Sequence, residues 1–347
     1  MSARLFAGLS AMALTALSLG PGAGAQGRNK DLGVLFDRYE RGEFGAAVAG
    51  AAQDEQDLRA VIAQLTGRVP VLNPDTPESQ MRRLALAAFS LEIVMATRSS
   101  LFNDAGSKGS GKILLEWACS LLRRSQTPLP AERLWHLAAF GVIEGAADAQ
   151  ALTIHVAHAN KRFPDEPRMI LTKAIALELE TWPDDRQEGR YQGLSEPPQL
   201  VPAFRAAANR PEVRDEALLR LGFFELRRGS PRSALARFDE MRTTADPFID
   251  YLRHLFRGRA LEKTNRLPDA IGEYRLATVV LPSAQTARIA LAGALSANRE
   301  RPEAAALLDD VLAAPGDVLS DPWFVYGAAD QRFYPELMTQ LRREVRK

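Results

Sequence analysis

Three stretches of this 347-residue chain hold side chains whose type and spacing invite chemistry. The first is Gly106-Ser107-Lys108-Gly109-Ser110-Gly111-Lys112, which has the G-x-x-x-x-G-K spacing of a loop whose backbone N–H groups cradle phosphate. That motif also needs a Ser or Thr hydroxyl for magnesium and a preceding strand to aim the loop. Here Ile113 stands at the hydroxyl position, after a segment patterned as helix, so residues 103–111 read as a glycine- and serine-rich turn between helices. The second is His155 with His158, at i, i+3 on one helical face, where two imidazoles can share a metal. Only Asp165 and Glu166, beyond the helix end, are near enough in sequence to add a ligand, so a solvated polar face is the commoner explanation. His136 and His254 stand alone. The third is Cys119, in the apolar run 113–122, which reads as a buried small hydrophobe because no cation at helical spacing is evident to lower its pKa.

Two sequence signatures of enzymes are missing: there is no G-x-S-x-G elbow and no H-E-x-x-H pair. A pair of carboxylates brought together only in space stays open. The expectation is a non-enzymatic chain with no catalytic residues, no cofactor and no metal. Lys and Arg number 44 against 43 Asp and Glu, so nothing in the charge draws the chain to nucleic acid or an anionic membrane. A single cysteine rules out an internal disulfide and a thiolate cluster, which leaves stability to packing.

Residues 1–25 read as a secretory signal peptide, with Arg4 in the n-region, an apolar run from Leu5 to Leu19, and the small-residue site Ala23-Gly24-Ala25. The run is shorter than the roughly 20 residues a spanning helix needs. Cleavage rests on Gly20-Pro21-Gly22 and the A-x-A site, and retention as an anchor is the other reading. The chain is thus expected to be exported, periplasmic or extracellular, with no membrane span once the signal is removed.

The elements that must position any site repeat themselves. Gly222, Gly258 and Ala292 step by 36 and 34 residues, as do Ala234, Ala270 and Ala304, then Phe238, Tyr274 and Leu308, then Met241, Ala277 and Val311. A small residue in one helix facing a small, large, small trio in the next lets two helices approach closely around one ring. Pro231, Pro268 and Pro302 sit in first turns, where a missing N–H costs nothing, and Ser230 is placed to cap the helix at Pro231. The unit opening near Tyr251 ends at Pro282. The third unit is looser, with Leu308 in place of an aromatic and Pro315 one place early.

This pattern resembles the tetratricopeptide repeat family. The resemblance implies an all-α fold: an α-solenoid of antiparallel helical hairpins with a C-terminal capping helix. Its expected organisation is degenerate hairpins over 26–130, repeat-like hairpins over 131–214, the array over 215–316 and a capping segment over 317–347. The first hairpin carries Leu35, Tyr39, Phe44, Ala47 and Val48 around a bend at Arg41-Gly42-Glu43. Residues 181–201, rich in Pro, Gly and charge, form an insertion that reads either as a tolerated spacer or as a functional loop. In the capping segment, Asp321 is placed to cap a helix beginning at Pro322, and Trp323, Tyr326, Leu337, Met338 and Leu341 offer an apolar face to the last hairpin.

In such arrays the first helix of each hairpin lines a concave groove for peptide segments. The resemblance therefore places partner-binding residues at Phe223, Leu226 and Arg227 in one unit and at Arg259, Glu262 and Lys263 in the next. The function implied is an exported, non-catalytic scaffold that holds a protein or peptide partner in that groove. The alternatives are a structural accessory subunit binding through its cap or convex face, and an all-helical enzyme.

Overall fold

The computed structural model describes residues 32–52, 75–97, 110–146, 148–181, 198–241, 244–313 and 321–346. The expected signal peptide, the phosphate-loop-like turn up to residue 109 and residues 182–197 of the insertion lie outside them. The described chain is all-α, with fifteen α-helices and no strand. It divides into two compact units, one formed by the chain up to Phe163 with Asp330 onward, the other by Pro164–Ala329.

The first unit is built on a helix that is apolar nearly all round. Helix α3 (Pro77–Ala96) buries an unbroken run from Arg83 to Val94, so it needs partners on every side. They are α1 (Leu32–Glu40), α2 (Phe44–Ala52), α4 (Ser110–Leu122), α5 (Glu132–Gly145) and the C-terminal α15 (Tyr334–Val345). Helix α6 (Ala149–Arg162) packs on α5 and touches α4 lightly. The start of α3 is set by the Thr76 hydroxyl, which accepts from the Ser79 N–H at 3.2 Å, with Pro77 in the first position. The bend between α1 and α2 falls at Gly42, whose φ of +90° favours glycine.

The second unit strings eight helices: α7 (Pro167–Thr181), α8 (Leu200–Ala208), α9 (Arg214–Arg227), α10 (Pro231–Asp239), α11 (Pro247–Lys263), α12 (Leu267–Val280), α13 (Gln285–Ala297) and α14 (Arg301–Ala313). Each packs against the next in sequence, and α9 also packs on α11. The repeated small residues explain the close approach. A Cβ on Gly222 would stand 2.4 Å from the Phe238 ring, and one on Gly258 would stand 2.4 Å from the Tyr274 ring. Leu308, at the same place in the third pair, is 41 % exposed, so no buried ring fills that contact.

Two local expectations change. Helix α10 begins without a bond from the Ser230 side chain. Asp321 does not start an α-helix; residues 321–325 form a turn, followed by a 3₁₀ segment, Tyr326–Phe333, kinked at Ala328.

The stretch read as a cap over the last hairpin is divided. Residues 321–329 belong to the second unit, whereas α15 joins the first and buries Met338 and Leu341 among its helices. What holds α15 there is polar as well as apolar. Arg342 donates two hydrogen bonds to the buried Glu92 carboxylate, which also accepts the Tyr39 hydroxyl at 2.6 Å. Just ahead of α15, the Asp330 N–H reaches buried Glu144 at 2.7 Å.

Candidate functional site

The six residues expected to line an open groove do not share one environment. Phe223, Leu226 and Arg227 are buried, at 1 %, 0 % and 4 % exposure. The openness expected of them does not hold: Leu226 is part of the second unit's apolar core, and residues 321–329 lie over Phe223. Phe223 stacks on Phe256 of α11, centroids 4.3 Å apart and planes 13° apart, and Trp323 and Tyr326 meet the pair edge-on. The Arg227 guanidinium lies 5.6 Å from the Phe223 ring centre. Arg259 keeps part of its exposure and sets its guanidinium over Trp323 at 5.3 Å. Glu262 accepts the Tyr274 hydroxyl at 2.6 Å, and Lys263 is exposed.

The covering segment is held by charge at both ends. Asp321, 1 % exposed, accepts from the Thr286 N–H at 2.8 Å and from the Tyr251 hydroxyl at 3.2 Å, which puts a carboxylate at the N-terminus of α13. At the other end the Tyr326 hydroxyl donates to Glu178 at 3.0 Å, and Arg220 lies over its ring at 4.7 Å. Burial, then the Glu178 charge, pushes the Tyr326 phenol well above its ordinary range. Arg220 in turn donates to Glu178 and Glu216, and Glu216 also accepts from Arg168.

The other chemistry-bearing residues meet in the first unit, where α4 and α6 part to leave a cavity of about 240 Å³. Its walls are Leu115, Cys119, Ile143, Ala151 and Ile154, and its charged and polar margin includes Lys112, Glu116, Arg123 and His158. His155 is on the wall but 5 % exposed, so it is not on a solvated face. It pairs instead with His136, Nε2 to Nδ1 at 3.2 Å, and His136 Nε2 lies 3.5 Å from Glu132. Burial depresses the pKa of both imidazoles, most strongly at His155, where His136 adds to the effect. His136 is therefore not isolated. Its partner lies 19 residues away on the next helix, a distance that a search along one helical face passes over.

His158 accepts from Arg123 at 3.2 Å, since a guanidinium only donates. Arg123 is also a cation four residues after Cys119, a spacing the sequence contains. Its pull on the thiol is nevertheless outweighed by burial, which pushes Cys119 up to about 11. The thiol is thus protonated near neutral pH and is no nucleophile there. Among the described residues no three His, Cys, Asp or Glu side chains gather as a metal site, and no helix is long and apolar enough to cross a membrane.

No protein-family model matches the chain, and no curated protein matches it either.

Proposed function

We propose that the chain is an exported, non-catalytic interaction scaffold, whose second unit is a tetratricopeptide-like solenoid that binds a protein or peptide segment along the first helices of its hairpins. One observation carries the reading. That face already holds a peptide segment, residues 321–329 of its own chain, through a carboxylate on a helix N-terminus and two aromatic rings set on Phe223 and Phe256. Anchoring by aromatic rings beside a fixed charge is the composition of a recognition surface. The part left for a partner runs over Lys263 and the half-exposed Ile289 of α13, beside Gly293, where a Cβ would meet nothing within 4 Å.

A second reading, binding through the outer face, is favoured by Val279 and Leu312, 74 % and 79 % exposed on the second helices of consecutive hairpins. The two are separated by affinity capture from an envelope extract with the parent chain, a Lys263→Glu/Ile289→Asp variant and a Val279→Asp/Leu312→Asp variant. A protein enriched by the parent and lost only in the first variant supports the groove. Loss only in the second moves the site to the outer face. A chain that captures nothing, and that fractionates with the cytoplasm, sinks the scaffold reading together with export.

A further inference from the structure

We propose that the cavity between α4 and α6 binds a small monocarboxylate with an apolar body, such as a medium-chain acid, its carboxylate resting on Arg123. The volume has a cause in the sequence. Cys119 on α4 and Ala151 on α6 are small residues on the walls where two lightly touching helices diverge, and Leu115 and Ile143 complete an apolar lining. An apolar cavity of about 150 Å³ accepts a benzene-sized ring. This one, at about 240 Å³, takes a longer chain or a substituted ring. Leu115 to Arg123 is two turns of one helical stripe, about 12 Å at the rise of an α-helix, so the apolar floor and the cation lie at the two ends of a short slot.

The charges choose the head group. Lys112 is engaged with Asp148 at 3.7 Å, and Glu116 is exposed one turn beyond it. Arg123 has no carboxylate partner among the described residues; its one side-chain bond goes to a neutral nitrogen of His158. A guanidinium offers five N–H donors in a planar fork, and a carboxylate fills two of them side by side. A neutral head group accepts from that fork without the help of charge, a cationic one is repelled by it, and the apolar walls give a polar body nothing to bond. An anionic head at Arg123, with its chain against Leu115, Cys119 and Ala151, satisfies both.

The test is titration calorimetry of the full chain with octanoate, and with 1-octanol as the uncharged match. The parent is expected to bind octanoate saturably and at least tenfold more tightly than octanol. Arg123→Gln, a change at an exposed residue, is expected to weaken octanoate about tenfold and leave octanol unchanged. Ala151→Phe, which fills the slot, is expected to abolish both. Because that substitution enters a packed wall, its circular dichroism is compared with the parent's, and competition between octanoate and 1-octanol for the unmutated chain gives a readout free of any substitution. No saturable binding of octanoate, equal affinity for acid and alcohol, or indifference to Arg123→Gln overturns the proposal. None of these outcomes bears on the second unit, so the scaffold reading stands or falls separately.

Discussion

Asp321 Oδ2 accepts the backbone N–H of Thr286 at 2.8 Å, while its Oδ1 accepts the Tyr251 hydroxyl, which in turn accepts the Ala287 N–H at 3.1 Å. Two of the N–H groups that open α13 are thereby satisfied by a buried carboxylate and the phenol it orients, in place of a local cap. Burial, then the Asp321 charge, raises the Tyr251 pKa strongly, so the phenol stays a donor. Asp321→Ala is expected to lower stability by about 2–3 kcal/mol, since it removes a charged acceptor and leaves buried donors unpaired. Asp321→Asn keeps one acceptor and is expected to cost less. Urea unfolding of the three proteins checks the order, and an alanine variant as stable as the parent removes the segment's anchoring role.

The repeated glycines give a prediction in two directions. Gly222→Ala and Gly258→Ala each drive a methyl group into a buried ring on the paired helix and are expected to cost about 1–3 kcal/mol. Gly293→Ala meets nothing within 4 Å, in mid-helix, and is expected to stabilise by about 0.5–1 kcal/mol through helix propensity and the unfolded chain. Thermal melts of the three variants decide it. If Gly258→Ala and Gly293→Ala shift the midpoint alike, the close helix contact at Tyr274 is not what the glycine is there for.

These glycines also mark what was readable in the chain. Gly222 meets Phe238, and Gly258 meets Tyr274, across a single hairpin, so each contact is local and its period survives in the sequence. The covering of Phe223 by Trp323 and Tyr326 joins positions about 100 residues apart, and Glu92 meets Arg342 across 250. Neither leaves a periodic trace. An apolar residue on a first helix, such as Phe223, looks the same in the sequence whether a partner or its own chain covers it, which is why it reads as groove-lining. The cavity was hidden for a related reason. Its residues appear as separate stripes on α4 and α6, and only their divergence turns Cys119, Arg123 and His158 into one place.

The buried histidine pair is expected to make the first unit acid-sensitive. Burial lowers the folded pKa of His136 and His155 below the ordinary value, so the unfolded chain binds more protons than the folded one as pH falls below about 6.5. Their contribution is present above that pH and is lost on acidification, at up to about 1.4 kcal/mol per pH unit for each histidine. His155→Leu removes one titrating group and is expected to flatten the fall in stability between pH 6.5 and 5. Urea midpoints at pH 7.5, 6.0 and 5.0 test this. A parallel fall in parent and variant assigns the acid sensitivity to other groups.

Arg220 joins two buried carboxylates of the second unit. It is 2 % exposed, bonds Glu178 at 3.1 Å and Glu216 at 3.3 Å, and lies on Tyr326. A buried ion pair need not stabilise relative to apolar residues, but removing one partner strands the other. Glu216 would keep Arg168, whereas Glu178 would keep only the Tyr326 hydroxyl among the bonds described above. Arg220→Met is therefore expected to cost about 3–5 kcal/mol, and adding Glu178→Gln to restore part of it by removing the stranded charge. Denaturant unfolding of the two single variants and the double one closes the cycle. If the double variant is as unstable as the sum of the singles, the two residues act independently and Glu178 is not the charge that Arg220 neutralises.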